Sequence, residues 1–195
     1  MNIYPYNVRI NLNMEEFIMK IELLDNDVYK GKKLLFKYKT EYFYDIETKE
    51  NENSFGFSLV KKPFNKTIEK QFEDILLSDW LENPMLFGAI EDGMIVGYLE
   101  LSHEQWNNRM RISNILIEEA YRGHGIGKAL MEKAYSTAVE KKARMLILET
   151  QACNYNAISF YRSCGLSIIG FDLFAYTNQD IEGKEYRIEM GKIIV

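Results

Sequence analysis

The chain has 195 residues, 47% hydrophobic and 27% charged, with only 3 Pro, a balance that describes one soluble globular domain with a real core rather than a disordered segment. Its formal net charge of -5 argues against a nucleic-acid surface, which needs clustered Lys and Arg, and no stretch approaches the roughly 18 apolar residues of a membrane span. The opening run MNIYPYNVRINLNMEEF has no continuous apolar core and carries Glu15 and Glu16, so it does not read as a signal peptide.

The first 65 or so residues carry weak periodicity, with strands expected near 18–24 and 34–46 and a polar, turn-like run TKENENS at 48–54. From Ile68 the pattern sharpens. In IEKQFEDILLSDWL, residues Ile68, Phe72, Ile75 and Leu76 fall at helical spacing, and Asn83-Pro84 closes the expected helix. MLFGAIEDGMIVGYLEL then reads as two strands about a tight Asp92-Gly93 turn. RMRISNILI (109–117) is a third strand, and a helix from about Gly125 to Lys142 aligns Ile126, Leu130, Ala134 and Ala138 on one face. RMLILET (144–150) is a short continuous apolar run, as in a buried central strand. A helix over 154–163 stops at Cys164-Gly165, and LSIIGFDLFAY and EYRIEMGKIIV supply two last strands. Cys153 and Cys164 flank that helix and read as small buried fillers rather than a disulfide, in keeping with a reducing, cytoplasmic compartment. The order gives an α+β fold, a mixed sheet with helices on its faces.

The stretch EAYRGHGIGKALM (119–131) puts Gly123, Gly125 and Gly127 directly before the longest helix. A glycine-rich turn there points unpaired N–H groups outward at the positive end of the helix dipole, which suits a phosphate. The dinucleotide pattern G-x-G-x-x-G fails, because its third glycine falls on Lys128 or Leu130. The P-loop pattern fails as well, with Arg122 at its first glycine and Ala129 where Ser or Thr belongs. What remains is Arg122-x-x-Gly125-x-Gly127 between a strand and a helix. With NYNAISFY (154–161) following as N-x-x-A-x-x-F-Y, and Gly165 after it, the chain resembles the GNAT family of N-acetyltransferases. The resemblance covers about residues 68–195 of what is read as a single domain (1–195), with 1–65 as a variable N-terminal part. LETQACNYNAISFY followed by IIGFDLFAYTN is similar, more narrowly, to the streptothricin acetyltransferases of that family.

The resemblance implies a mostly antiparallel sheet that splays between its fourth and fifth core strands, here NILI and LILET, to admit the pantetheine arm of acetyl-CoA. It implies main-chain contacts to that arm from Ile115 and Ile117, and a pyrophosphate cradle of Arg122, Gly123, His124, Gly125, Ile126, Gly127 and Lys128. Asn154 would bond the pantetheine or cap its helix, and Tyr161 would be the general acid for the departing thiolate. Transfer to an amine also needs a base, since an ammonium has a pKa near 10.4. Glu149 is the expected base or amine anchor, with Glu100 and Glu118 as alternatives. Trp106, Asp172 and Tyr176 are further expected acceptor-side residues, a downstream Asp and Tyr being part of the narrower likeness. His103 and His124 are the only histidines and lie in no ligand-spaced cluster, so no metal is expected. The acceptor expected is a small cationic amine, with a streptothricin-like antibiotic leading and no nucleic-acid or membrane partner; a homodimer is left open. Acetylation of protein N-termini or lysines is the alternative chemistry, and a CoA-binding regulatory module without chemistry is the alternative of another class.

Overall fold

The computed structural model describes residues 6–12 and 15–194; expectations for residues 1–5, 13, 14 and 195 lie outside the described residues. In chain order the elements are β1 (Tyr6–Leu12), β2 (Glu15–Leu23), α1 (Asn26–Tyr29), β3 (Lys33–Asn51), β4 (Ser54–Ile75), β5 (Met85–Glu91), β6 (Met94–Glu104), β7 (Arg109–Ile117), α2 (Ile126–Glu140), β8 (Met145–Gln151), α3 (Tyr155–Ser163), β9 (Ser167–Asp172), α4 (Asp180–Gly183) and β10 (Arg187–Ile193). They divide between two compact units, one of Met1–Leu35, Glu73–Leu148 and Lys192–Val195, the other of Phe36–Phe72 and Glu149–Gly191. The architecture is the α+β, mostly antiparallel one anticipated.

In the first unit the strand order is β1-β2-β5-β6-β7-β8. Each neighbouring pair is antiparallel except β7 with β8, which is parallel and so needs a crossover connection, supplied by α2. The β5–β6 turn is built as its sequence asks, with Asp92 (φ 48°) and Gly93 (φ 78°) both left-handed. Helix α2 buries Ile126, Leu130, Ala134 and Ala138, the face read from the sequence, together with Ala129 and Met131, against β6 and β7. The parallel ladder runs only from Arg109↔Met145 to Ile112↔Leu148. Glu100 pairs with Asn114 but Leu101 with Ile112, so Ser113 is the extra residue of a β-bulge in β7. From Ser113 onward the ladder of β7 runs to β6 alone among the described residues.

In the second unit β3 and β4 form their own two-stranded sheet, while β10 lies between β8 and β9. Ile158 of α3 is completely buried. The helix expected over 68–81 is not there: residues 68–75 continue β4, and the following residues turn. The hairpin partner overrides the helical spacing. Phe72 stacks on Phe36 of β3 at 4.9 Å with rings 6° from parallel, and Lys39 pairs with Glu69 at 2.6 Å across the same ladder. The polar run at 48–54 also contracts, since β3 continues through Asn51 and β4 resumes at Ser54. Cys153 and Cys164 are unbridged, the first buried and the second half-buried. Among the described residues no helix is long and apolar enough to cross a membrane.

Candidate active site

The glycine turn of the first unit is an exposed, uncapped helix start. Gly123 (φ 86°) and Gly125 (φ 82°) are both left-handed, a conformation that L side chains resist. Gly125 is the N-cap of α2 and offers no side-chain acceptor, so the capping residue leaves the first-turn amides of Ile126, Gly127 and Lys128 without a side-chain partner of its own. Gly123, His124 and Gly125 are exposed, as is Lys128, while Ile126 turns into the core. Arg122 is exposed too, with Nε donating to the Ile117 carbonyl at 3.1 Å, which ties the turn to the end of β7. Ile115 and Ile117 are half-buried, alternating with the buried Asn114 and Leu116. At the bulge, the Ser113 hydroxyl is buried and makes no hydrogen bond. The first unit thus combines a strand end unpaired on its β8 side with open amides at a helix N-terminus, an arrangement suited to an extended ligand ending in a phosphate.

Glu100, expected as an alternative to Glu149 on the acceptor side, lies inside the core of the first unit. It is fully buried, accepting from the Leu77 N–H at 2.6 Å and from Asn114 Nδ2 at 2.9 Å. Its sequence signal was a carboxylate inside the apolar run IVGYLEL. Burial holds its carboxyl above the usual range, against the pull of those two donors. A raised acid contributes most to stability below its unfolded pKa, and that contribution is lost as pH rises through the folded-state value. Glu100→Gln should therefore gain thermal stability relative to the parent as pH goes from about 4 to about 8, the range spanning an ordinary Glu pKa and beyond. Melting curves at several pH values test this; a Tm difference that stays constant across the range would refute it. Trp106 sits in the β6–β7 turn, 79% exposed, with the Arg109 guanidinium 6.0 Å from its ring. Glu118 is exposed, and its backbone N–H donates to Val96.

In the second unit Asn154 caps α3, its side-chain oxygen accepting from the Ala157 N–H at 3.3 Å. Tyr161, on the last turn of that helix, packs its ring 5.4 Å from Phe160. Burial, helped by Cys164, pushes its hydroxyl up to about 12. The other expected residues of this unit converge. Tyr176 donates its hydroxyl to Glu149 Oε1 at 3.3 Å, and Arg187 bridges Glu149 at 3.6 Å and Asp172 at 3.4 Å. Burial first, and the charge of Glu149 second, raise the Tyr176 phenol, which keeps it a neutral donor.

Two members of this cluster were missed from the sequence. Arg187 gives no local signal. Asp180 does, since Thr177 and Asp180 are spaced as in a side-chain-closed turn. Its carboxylate, 2% exposed, accepts from the Tyr176 and Thr177 amides at 2.8 and 2.9 Å and from the Thr177 hydroxyl at 2.7 Å. Those bonds hold the Asp180 pKa below the usual range against its burial, and they fix the loop that carries Tyr176. No group of three or more His, Cys, Asp or Glu that could hold a metal occurs among the described residues.

The model of the acetyltransferase (GNAT) family matches residues 40–166, beginning well before Ile68. Streptothricin acetyltransferase of Streptomyces lavendulae is 33% identical over 137 residues, covering 66% of this chain and 72% of that protein. The enzyme of the same name from Escherichia coli is 35% identical over 95 residues, 49% of this chain and 54% of that protein. Among solved structures, nourseothricin acetyltransferase aligns with TM-score 0.70 at 25% identity, over 91% of this chain and 99% of that one. A protein of Bacillus anthracis str. Ames in complex with acetyl coenzyme A gives TM-score 0.66 at 22% identity, over 91% and 98% of the two chains, a likeness of fold.

Proposed function

The chain belongs to the GNAT acetyltransferase family and is an N-acetyltransferase; from that premise we propose that it moves the acetyl group of acetyl-CoA to a primary amine of a small cationic acceptor. A streptothricin-like antibiotic is the leading acceptor, attacked directly in a ternary complex. The observation that carries the acceptor reading is one connected cluster: Glu149 and Asp172 both pair with the Arg187 guanidinium, and the Tyr176 hydroxyl donates to Glu149. The names of the relatives support the same choice.

The residues of the first unit fit the cosubstrate. The amides of Ile126, Gly127 and Lys128 would receive its pyrophosphate, with Gly123, His124 and Gly125 shaping the turn and Arg122 and Lys128 adding positive charge. The edge of β7 at Ile115 and Ile117 would pair with the pantetheine as a strand pairs with its neighbour, and the Ile117 amide would polarise the thioester carbonyl. Glu149 would hold the incoming ammonium and take its proton, directly or through one water. An amine of pKa near 10.4 is almost wholly protonated at neutral pH, so this step is needed.

Tyr161 would serve the departing sulfur. A thiol has a pKa of about 8.5, so complete ionisation of a phenol at about 12 would be uphill by about 5 kcal/mol. Tyr161 therefore acts as a neutral hydrogen-bond donor to the thiolate as it develops, the surplus proton coming from the acceptor nitrogen. Asn154 spends its side-chain oxygen on the α3 cap and keeps its amide hydrogens for the pantetheine.

Thiol release from acetyl-CoA is the test, with streptothricin, spermidine and a lysine peptide offered in parallel. The expected result is release with streptothricin at a kcat/KM at or above about 10⁴ M⁻¹s⁻¹, the lower part of the usual enzyme range, and at least tenfold below that for the other two. Release with the peptide alone would replace this reading by protein acetylation. Binding of CoA without release by any amine would leave a binding module.

A further inference from the structure

Arg187 stands on the middle strand of three. In the second unit β10 lies between β8 and β9, and Arg187 opens it directly opposite Asp172. Its guanidinium reaches sideways in both directions. Nη1 is 3.6 Å from Glu149 Oε2 on β8, and Nη2 is 3.4 Å from Asp172 Oδ2 on β9. Nε lies 4.0 Å from Glu189 Oε1, farther along β10, and is buried without a hydrogen bond. Leaving a guanidinium N–H unsatisfied in the interior is unfavourable. The side chain is thus held where its two outer nitrogens serve neighbouring strands, at the expense of the third.

Resting on the role proposed for Glu149, we infer that Arg187 is a positioning residue for acceptor acetylation, acting through the Glu149 carboxylate. Glu149 is exposed near the end of β8, so burial does not fix its rotamer. Two groups hold it, the Tyr176 hydroxyl donating to Oε1 and the Arg187 guanidinium pairing electrostatically with Oε2. A carboxylate offers about four lone-pair sites over its two oxygens, and the proposed ammonium contact would use one of them. Asp172, bound to the other arm of the same fork, is held in register with it. Lysine is a poor substitute, because its compact ammonium lacks the planar fork that reaches carboxylates on two separate strands at once.

A double-mutant cycle on the full chain tests the inference, with streptothricin as acceptor, or spermidine if streptothricin is not turned over. Arg187→Gln should lower kcat/KM for the acceptor about tenfold while KM for acetyl-CoA stays within about twofold; in a Glu149→Gln background the same change should do almost nothing. An equal loss in both backgrounds would overturn the inference, because Arg187 would then act independently of Glu149. No effect of Glu149→Gln on its own would instead sink the proposed role of Glu149, and the clamp with it. Should Arg187→Gln melt below assay temperature, Arg187→Lys keeps the charge and should still lose several-fold, again only when Glu149 is present. Full activity of Arg187→Lys would overturn the bridging fork.

Discussion

Replacing Tyr161 with Phe is expected to lower kcat for the productive acceptor about 10²- to 10³-fold, with KM for acetyl-CoA within about threefold, the usual scale for removing one positioned hydrogen-bond donor to developing negative charge. The ring that packs against Phe160 stays, so the melting temperature should move by only a few degrees and the loss is chemical. The pH dependence makes the prediction sharper. With its hydroxyl pushed up to about 12, Tyr161 stays protonated throughout the range in which an enzyme of this kind can be assayed. The kcat–pH profile of the variant should therefore keep the parent's shape below about pH 10 and differ only in height. A drop smaller than about fivefold would remove Tyr161 from the departing thiolate, whereas a lost alkaline limb would show that Tyr161 itself titrates there and would overturn the neutral-donor role.

Gly125→Val should act on the cosubstrate side alone. Gly125 has φ 82° and ψ -7° as the N-cap of α2, a conformation costing an L residue about 1–2 kcal/mol and a β-branched one more. The strain can be relieved only by turning the peptide, which re-aims the open amides at the helix start. KM for acetyl-CoA should rise about 10- to 100-fold, the equivalent of one or two lost hydrogen bonds to a charged group. The acceptor KM should stay nearly constant at saturating cosubstrate. His124→Ala is the control, since that residue is exposed and is assigned only its amide; it should change KM less than about threefold. Titration of CoA by calorimetry measures both, and equal affinity in Gly125→Val and the parent would dismiss the turn as the pyrophosphate cradle.

Legibility followed the range of the interactions that decide each element. The β5–β6 hairpin was readable because Asp92-Gly93 specifies its own turn, and α2 because Ile126, Leu130, Ala134 and Ala138 repeat at one spacing. Residues 68–75 were misread because Ile68, Phe72 and Ile75 satisfy the helical period, while the contacts that hold them extended, such as Phe36 beneath Phe72, come from a strand more than thirty residues earlier. The site divides in the same way. The glycine turn is written locally, and so is the Asn154 cap. Arg187 is an ordinary arginine until the order β8-β10-β9 sets it between two carboxylates, and no window of sequence around it contains that fact. Glu100 was noticed as a carboxylate, but its inward direction depends on Leu77 and Asn114 arriving from other segments.

The state of the two cysteines bears on how this protein can be handled. Cys153 has no exposed surface, and burial raises its thiol above the ordinary range, so the reactive thiolate is both scarce and hidden. Cys164 is half-buried, and neither is bridged. Cys153 is therefore shielded from a sulfhydryl reagent and each chain offers it at most Cys164, so thiol liberated over many turnovers can be followed continuously in place.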